Sequence, residues 1–207
     1  MSEYFKNNKA SGCRLCNALA GDENYLYNIP IYNSNFFVLL PCIGPIIHAH
    51  IMIVSKNHYM NLLMMPSDAI VEYETLVRTI NVKLCISGKS LLEMEHGSTA
   101  QNPSGSSIDH MHVHWMPTTT TTFELLSEKL DCTKVESLRD IAITSNGYFF
   151  IRHNNRLRVV IDPHVESQFL RRKLAEIFET EWDWTKEENK EMVSQNIAFW
   201  RTLVDGI

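Results

Sequence analysis

Residues 110–115 alternate without a break: His110, Met111, His112, Val113, His114, Trp115. A β-strand sends successive side chains to opposite faces, so this period of two predicts a strand with one apolar and one imidazole face. Met111, Val113 and Trp115 should pack on a core, which places the strand inside a sheet and excludes an all-helical chain. At about 3.3 Å per residue, neighbouring histidines stand about 6.6 Å apart and the outer pair about 13 Å, too far for all three to ligate one ion directly. They can instead divide two jobs, one near a metal and the others along an extended substrate. Imidazole serves as nucleophile, acid and base near neutral pH. A solvated polar face, or histidines satisfied inside a core, suits one histidine better than three.

The rest of the chain supplies partners for that strand. "FFVLL" at 36–40, "HIMIVSKNH" at 50–58 and "SLLEMEHG" at 90–97 read as strands, the first stopped by Pro41 and Gly44-Pro45. Residues 67–89 read as a long helix capped by Ser67 or Asp68, with Ile70, Leu76 and Leu84 helping to form its apolar stripe. "CRLCNALAGD" at 13–22 reads as a loop entering a short helix. "TTTTTF" after Pro117 reads as a low-complexity connector or edge, and 124–142 as helical or irregular. "GYFFIR" and "RLRVVI", split by "HNN", predict a hairpin, and 165–179 and 186–204 predict helices. The fold class is therefore α+β, with domains expected at 1–120 and, as a C-terminal α/β extension, at 121–207.

The chain has 207 residues and a formal net charge of −5, which offers no basic footprint for nucleic acid and argues against it as a partner. A small nucleotide held by a few local donors remains compatible with that charge. No apolar run reaches membrane-span length and "MSEYFKNNKA" has no apolar leader, so the expected location is the cytoplasm, with no membrane partner. Of five cysteines, Cys13 and Cys16 stand close together. In a reducing compartment that spacing reads as a metal or redox site, and two histidines would complete a tetrahedral zinc site. Unpaired thiols are the plainer reading; a thioredoxin-type role lacks its βαβ context. Cys42, Cys85 and Cys132 sit in or near apolar runs and are expected to be buried.

The loop "GSTAQNPSGSS" at 97–107 precedes the histidines, and its hydroxyls and main-chain N–H groups suit phosphate oxygens. His96 can face that site or cap its strand. His48 is expected to be structural, His153 and His164 to lie at the surface. Trp182, Trp184 and Trp200 are expected to pack a helical subdomain. Gln168, Arg171 and Arg172 stand at a helix start, where they can bind phosphate or simply face solvent.

"HMHVHWM" is similar to the His-φ-His-φ-His-φ-φ signature of the histidine-triad (HIT) family of nucleotide hydrolases and transferases. "LLEMEHG…SSIDHMHVHWMP" resembles the branch related to diadenosine-polyphosphate hydrolases. "HAHIMIVSKNH" resembles that family's Gly-His-x-Leu-Val-Ile-Pro-Lys-x-His segment, aligning His50 and His58, and "CRLCNALAGD" the Cys-x-x-Cys opening of zinc-containing members. The likeness covers roughly residues 10–120; "SQFLRRKLAE" resembles an extension of some longer members. Ala49 stands where Gly is usual, Ser55 where Pro is usual and Thr118 where Arg is common, and no acidic residue near Pro41 and Cys42 is present to hold a ribose.

The resemblance implies a HIT-like antiparallel sheet with packed helices and an enzyme that cleaves a nucleotidyl substrate at its α-phosphate. His112 would be the nucleophile, forming a covalent nucleotidyl-histidine, and His114 and His50 would hold phosphate oxygens. Asn102, Gly105, Ser106, Ser107 and Gln168, with His114, would bind substrate. Cys13, Cys16, His58 and His110 would hold a structural Zn²⁺, with no catalytic metal required. The partner would be a small nucleotide, and a homodimer is expected. A transferase or phosphorylase with the same intermediate, and a binding module whose chemistry has decayed, are the alternatives.

Overall fold

The computed structural model describes residues 12–21, 26–100, 108–161, 163, 168–183 and 190–207. A helix, α1 (Arg14–Leu19), leads into strands β1 (Tyr32–Asn33), β2 (Phe37–Pro41) and β3 (Ile51–Ser55). Helix α2 (Ser67–Cys85) connects to β4 (Ser90–Gly97), and β5 (His112–Thr118) follows. Helix α3 (Thr120–Leu130), strands β6 (Thr133–Val135), β7 (Tyr148–His153) and β8 (Arg156–Ile161), then helices α4 (Phe169–Ile177) and α5 (Lys190–Val204) complete the described elements.

The strands form one eight-stranded sheet in the order β1-β2-β3-β5-β4-β7-β8-β6, every pairing antiparallel. The fold is thus α+β, with β5 interior between β3 and β4. No helix among the described residues is long and apolar enough to cross a membrane. Residues beyond 120 contribute β6, β7 and β8 to this same sheet, and the β4–β7 ladder carries it across that point without a break.

Alternation sorts the sheet into two faces. Met111, Val113 and Trp115 are fully buried with α2 and α5, in a cluster that includes Tyr73, Ile80, Ile197 and Trp200. Each large side chain of this kind contributes about 1.5–3 kcal/mol on burial. The opposite face carries Val38, Leu40, Met52 and Val54 under α1, and Leu92, Met94, Phe149 and Ile151 under α3 and α4. In register, His112 faces Val54, while His114 lies between Met52 and Met94. The two imidazoles therefore emerge from an apolar floor on this second face.

A buried polar network ties α2 to the first face. Arg152 donates from Nε to Glu93 Oε1 (2.8 Å) and from Nη2 to Glu93 Oε2 (2.6 Å), and its Nη1 reaches Glu74 (2.6 Å). Tyr73 donates to Glu93 (2.6 Å) and accepts from the Trp115 indole (3.2 Å). Burial alone would lower the Arg152 pKa, but the Glu93 and Glu74 carboxylates more than offset it and hold the guanidinium charged.

Several local expectations are corrected. The threonine run opens α3, because Thr122, Phe123, Leu126 and Leu130 recur at helical spacing and are all buried. The N-cap of α2 is Pro66, with no side-chain capping bond from Ser67 or Asp68. His153 is buried, stacked on Phe123 beneath the Thr118 carbonyl, so it is not a surface residue. Cys85 is exposed at the end of α2, and Cys132 is only partly buried. The histidine strand starts at His112 and runs through Pro117, leaving His110 just before it. Trp200 packs on Trp115 of the sheet (ring centroids 6.1 Å apart) rather than inside a helical subdomain. His164 and Trp184 lie outside the described residues.

Candidate functional site

A cavity of about 260 Å³ opens over the second face of the sheet. His96, His112, His114, Met52 and Phe149 form its floor, α1 contributes Leu15 and Ala18, and α4 contributes Phe169 and Arg171. Phe149 and Phe169 stack at 6.1 Å and 18°. His96 meets Phe149 edge-on at 4.5 Å, and burial pushes its pKa down to about 4. The wall is mostly apolar, with the imidazoles, Arg14, Asn28, Gln168 and Arg171 as its polar groups, the usual make-up of a small-molecule site.

Hydrogen bonds fix which ring nitrogen carries each proton. The Ile46 main-chain amide, which can only donate, gives its hydrogen to His50 Nδ1 (3.1 Å). His50 must then carry its proton on Nε2, which lies 2.9 Å from His114 Nδ1 and donates to it. His114 in turn carries its proton on Nε2. His112 Nδ1 lies 2.7 Å from the His110 carbonyl, which can only accept, so Nδ1 is protonated and Nε2 keeps its lone pair. The site thus pairs one imidazole with a bare nitrogen and one with an N–H donor.

All three rings are held neutral. Burial pushes the His112 pKa down, opposed in part by the bond to the His110 carbonyl. Burial lowers His50 and His114 well below the usual imidazole range, and the Arg171 charge adds to this in both.

Cys13, Cys16, His58 and His110 form a second cluster, behind the strand start. Cys13 Sγ and Cys16 Sγ each lie 3.4 Å from His110 Nδ1, and Cys16 Sγ lies 3.5 Å from His58 Nδ1. The four donor atoms all fall within 4.8 Å of one another. A tetrahedral zinc with Zn–S of about 2.3 Å and Zn–N of about 2.0–2.1 Å sets sulfur and nitrogen about 3.5 Å apart, so this set fits the ion. His110 Nε2 donates to the Ser55 carbonyl (2.8 Å), which leaves Nδ1 as the free ligand atom and orients the ring. Four protein ligands leave no open coordination position, which suits a structural ion.

Cys42, His50 and His114 also group closely. They are a poor metal site. Ligation through His50 Nε2 would move the ring proton to Nδ1, where it would meet the Ile46 N–H head-on. The Cys42 thiol, 3.7 Å from His114 Nδ1, donates instead to the Ile43 carbonyl (3.4 Å), and burial raises its pKa.

No family model matches the chain, and no curated protein matches it. Solved structures do. One is a hypothetical histidine triad nucleotide-binding protein from Sulfolobus tokodaii, with 22% identity over 44% of this chain and a TM-score of 0.33. That alignment spans only 60% of the Sulfolobus protein's length. A Hit-like protein involved in cell-cycle regulation from Bartonella henselae aligns over 85% of this chain and 86% of its own, at 12% identity and a TM-score of 0.40. A Zn-bound histidine triad family protein from Mycobacterium smegmatis aligns over 53% of this chain and 76% of its own, at 18% identity and a TM-score of 0.40. The chain resembles the histidine-triad proteins.

Of the residues that the histidine-triad motifs single out, His50, His112 and His114 meet at the cavity, and Cys13, Cys16, His58 and His110 meet behind it. Gln168 lines the cavity, with its side chain accepting from Arg171 (3.0 Å). Asn102, Gly105, Ser106 and Ser107 lie outside the described residues. Sequence reasoning did not single out Cys42, Asn196 or the burial of Arg171. Asn196 is far from the motifs in sequence, and nothing but the packing of α5 reveals it.

Proposed function

We propose that the chain is a nucleotide hydrolase that cleaves at the α-phosphate of a nucleotidyl substrate, such as a dinucleoside polyphosphate or a nucleoside monophosphate conjugate. The observation that carries this reading is the tautomer of His112: its Nδ1–H is committed to the His110 carbonyl, which leaves Nε2 unprotonated on a ring that burial keeps neutral. Nε2 attacks the α-phosphorus, an N–P bond forms, and the bond from phosphorus to the leaving group breaks. Water then attacks the same phosphorus, releases the nucleoside monophosphate and restores the imidazole. Charge that builds on the phosphoryl oxygens meets the His114 Nε2–H, which is held by the His50 relay.

Asn102, Gly105, Ser106, Ser107 and Gln168 belong to the substrate contacts in this proposal, with Ser107 and the 105–106 main chain on the leaving-group side. Zinc at Cys13, Cys16, His58 and His110 would pin the N-terminal loop to the start of β5 and take no part in the phosphorus chemistry. A homodimer and a cytoplasmic location are part of the same reading.

Single-turnover labelling with an α-³²P nucleotide tests it. Wild-type protein should become labelled, and His112→Asn should not, while still binding nucleotide. A labelled His112→Asn protein would move the nucleophile to His114. Labelled wild type that gives up its label only when inorganic phosphate or another acceptor is present, as a nucleoside diphosphate or the acceptor's nucleotidyl adduct, would make the protein a transferase. Binding without labelling in wild type would leave a nucleotide-binding module.

A further inference from the structure

Arg171, in the first turn of α4, is 7% exposed and lines the same cavity as His112 and His114. Its immediate partners are neutral. Nη2 donates to the carbonyls of Ile43 (2.6 Å) and Gly44, and Nη1 donates to Gln168 Oε1 (3.0 Å). The guanidinium carbon sits 4.4 Å above the centre of the Trp182 ring. Its buried Nε has no partner among the described residues. Among the described residues, no carboxylate forms an ion pair with it.

The contrast with Arg152 is instructive. That buried guanidinium is matched by two carboxylates, which is the ordinary way to keep a cation out of water. Arg171 is oriented by carbonyls and an amide that aim it without neutralising it. Among the described residues its charge is left over, in a cavity that Arg14 also lines and whose imidazoles are all neutral.

We propose that Arg171 is the anion-binding residue that holds the substrate's phosphate beside His112 and His114; this rests on the nucleotidyl-transfer reading above. The planar fork of arginine matches phosphate oxygens. An uncompensated buried cation gains most from an anionic ligand, because the ligand supplies the missing countercharge. The arrangement makes Arg171 a specificity device: it selects phosphorylated nucleosides over bare ones before any chemistry. Gln168 becomes a positioning residue, because its side chain holds one arm of the guanidinium. The apolar part of the cavity, with its Phe149–Phe169 stack, is left for the base.

The test compares affinities of AMP, GMP, CMP and UMP with those of their parent nucleosides, by calorimetry, for wild type, Arg171→Gln and Arg171→Lys. Wild type should bind at least one monophosphate more tightly than its nucleoside. Arg171→Gln should weaken monophosphate binding by roughly ten- to a hundred-fold, the range of a lost charge-assisted hydrogen bond, and leave nucleoside binding unchanged. Arg171→Lys, which keeps the charge and loses the fork, should fall between. The nucleoside controls separate this from a scaffold role: a residue needed only to tie down the Ile43–Gly44 turn would, when replaced, weaken nucleoside and monophosphate alike, whereas loss of an anion site weakens the monophosphate alone.

Equal loss of both ligands in Arg171→Gln, or a monophosphate preference that ignores both substitutions, overturns the proposal. If Arg171→Gln does not fold, a wild type without any preference for the monophosphate, or an Arg171→Lys with wild-type preference, does so too. The two readings also fail separately. A preference that depends on Arg171 in a protein that never labels His112 keeps the anion site and removes the catalysis. Labelling with a preference indifferent to Arg171 does the reverse.

Discussion

The Asn196 side chain grips the backbone on both sides of the Ala49–His50 peptide: its Oδ1 accepts from the Ala49 N–H (2.6 Å) and its Nδ2 donates to the His50 carbonyl (3.2 Å). Trp200, one turn further along α5, donates to the Ala49 carbonyl (2.7 Å). Ala49 needs this hold. Its φ of +66° lies in the left-handed region, which costs an L-residue roughly 1–2 kcal/mol and which glycine adopts freely. The C-terminal helix thus secures the strained hinge from which His50 reaches His114. Ala49→Gly should raise stability by about 1 kcal/mol in urea unfolding. Asn196→Leu should lower it by about 1–3 kcal/mol for each main-chain group left buried and unpaired. Equal stabilities for wild type and Ala49→Gly would mean that the left-handed turn is not strained.

The His50 relay gives a second expectation. The Ile46 amide polarises His50, and His50 polarises His114, so the relay matters most where charge accumulates on phosphorus. His50→Gln should lower kcat by roughly 10²–10⁴-fold, the usual range for a positioned proton donor or acceptor, with little change in KM. A change confined to KM would assign His50 to ground-state binding instead.

Zinc content is expected near one ion per chain by elemental analysis. Cys13→Ser and His110→Asn should both reduce it and lower the melting temperature, because a site made of separate elements returns its binding energy as folding energy. His112→Asn should leave zinc content unchanged, since His112 gives its Nδ1–H to a carbonyl and takes no part in the sulfur cluster. Metal-replete wild type with no bound zinc would sink this site.

The alternation in 110–115 was enough to place Met111, Val113 and Trp115 in the core, because a strand's period of two is strictly local. The spacing also forbade one shared ion, and His110 lies against the cysteines while His112 and His114 line the cavity. Ala49 was visible only as a departure from glycine; its cost appears with its φ angle. The Glu93–Arg152–Tyr73 network was invisible, since it joins residues from three elements whose proximity only the sheet order creates. The start of α3, Thr120–Phe123, was misread because its threonines have weak helix propensity, and the buried Phe123, Leu126 and Leu130 stripe overrode it. His153 was misread because its turn neighbours Asn154 and Asn155 are exposed while the strand register turns its own ring inward.

Two sets of buried groups should pull stability in opposite directions as pH changes around 6.5, the ordinary imidazole value. Burial lowers the pKa of His50, His114 and His153, and takes His96 down to about 4. Below pH 6.5 the unfolded chain therefore binds protons that the folded chain refuses, so stability falls with acidification. Glu95 works in the other direction. It is fully enclosed, accepting from the Leu62 N–H (2.7 Å) and from Tyr148 Oη (2.5 Å), and burial raises its pKa to about 8. From about 4.5 up to 8 the folded carboxyl keeps a proton that the unfolded one has lost, so its stabilising contribution declines as pH rises. At pH 6.5 an unfolded imidazole is still half protonated, so the histidine contribution fades only on the way to pH 8, while Glu95 adds an opposite slope of up to about 1.4 kcal/mol per pH unit. Glu95→Gln keeps the size of the acid and an oxygen for the Leu62 N–H, and carries no group that ionises in this range. Urea unfolding at half-unit steps should therefore show wild type losing stability relative to Glu95→Gln from pH 6.5 to 8, the histidine contribution being common to both proteins. Parallel curves for the two proteins over that window would show that Glu95 ionises normally in the folded chain.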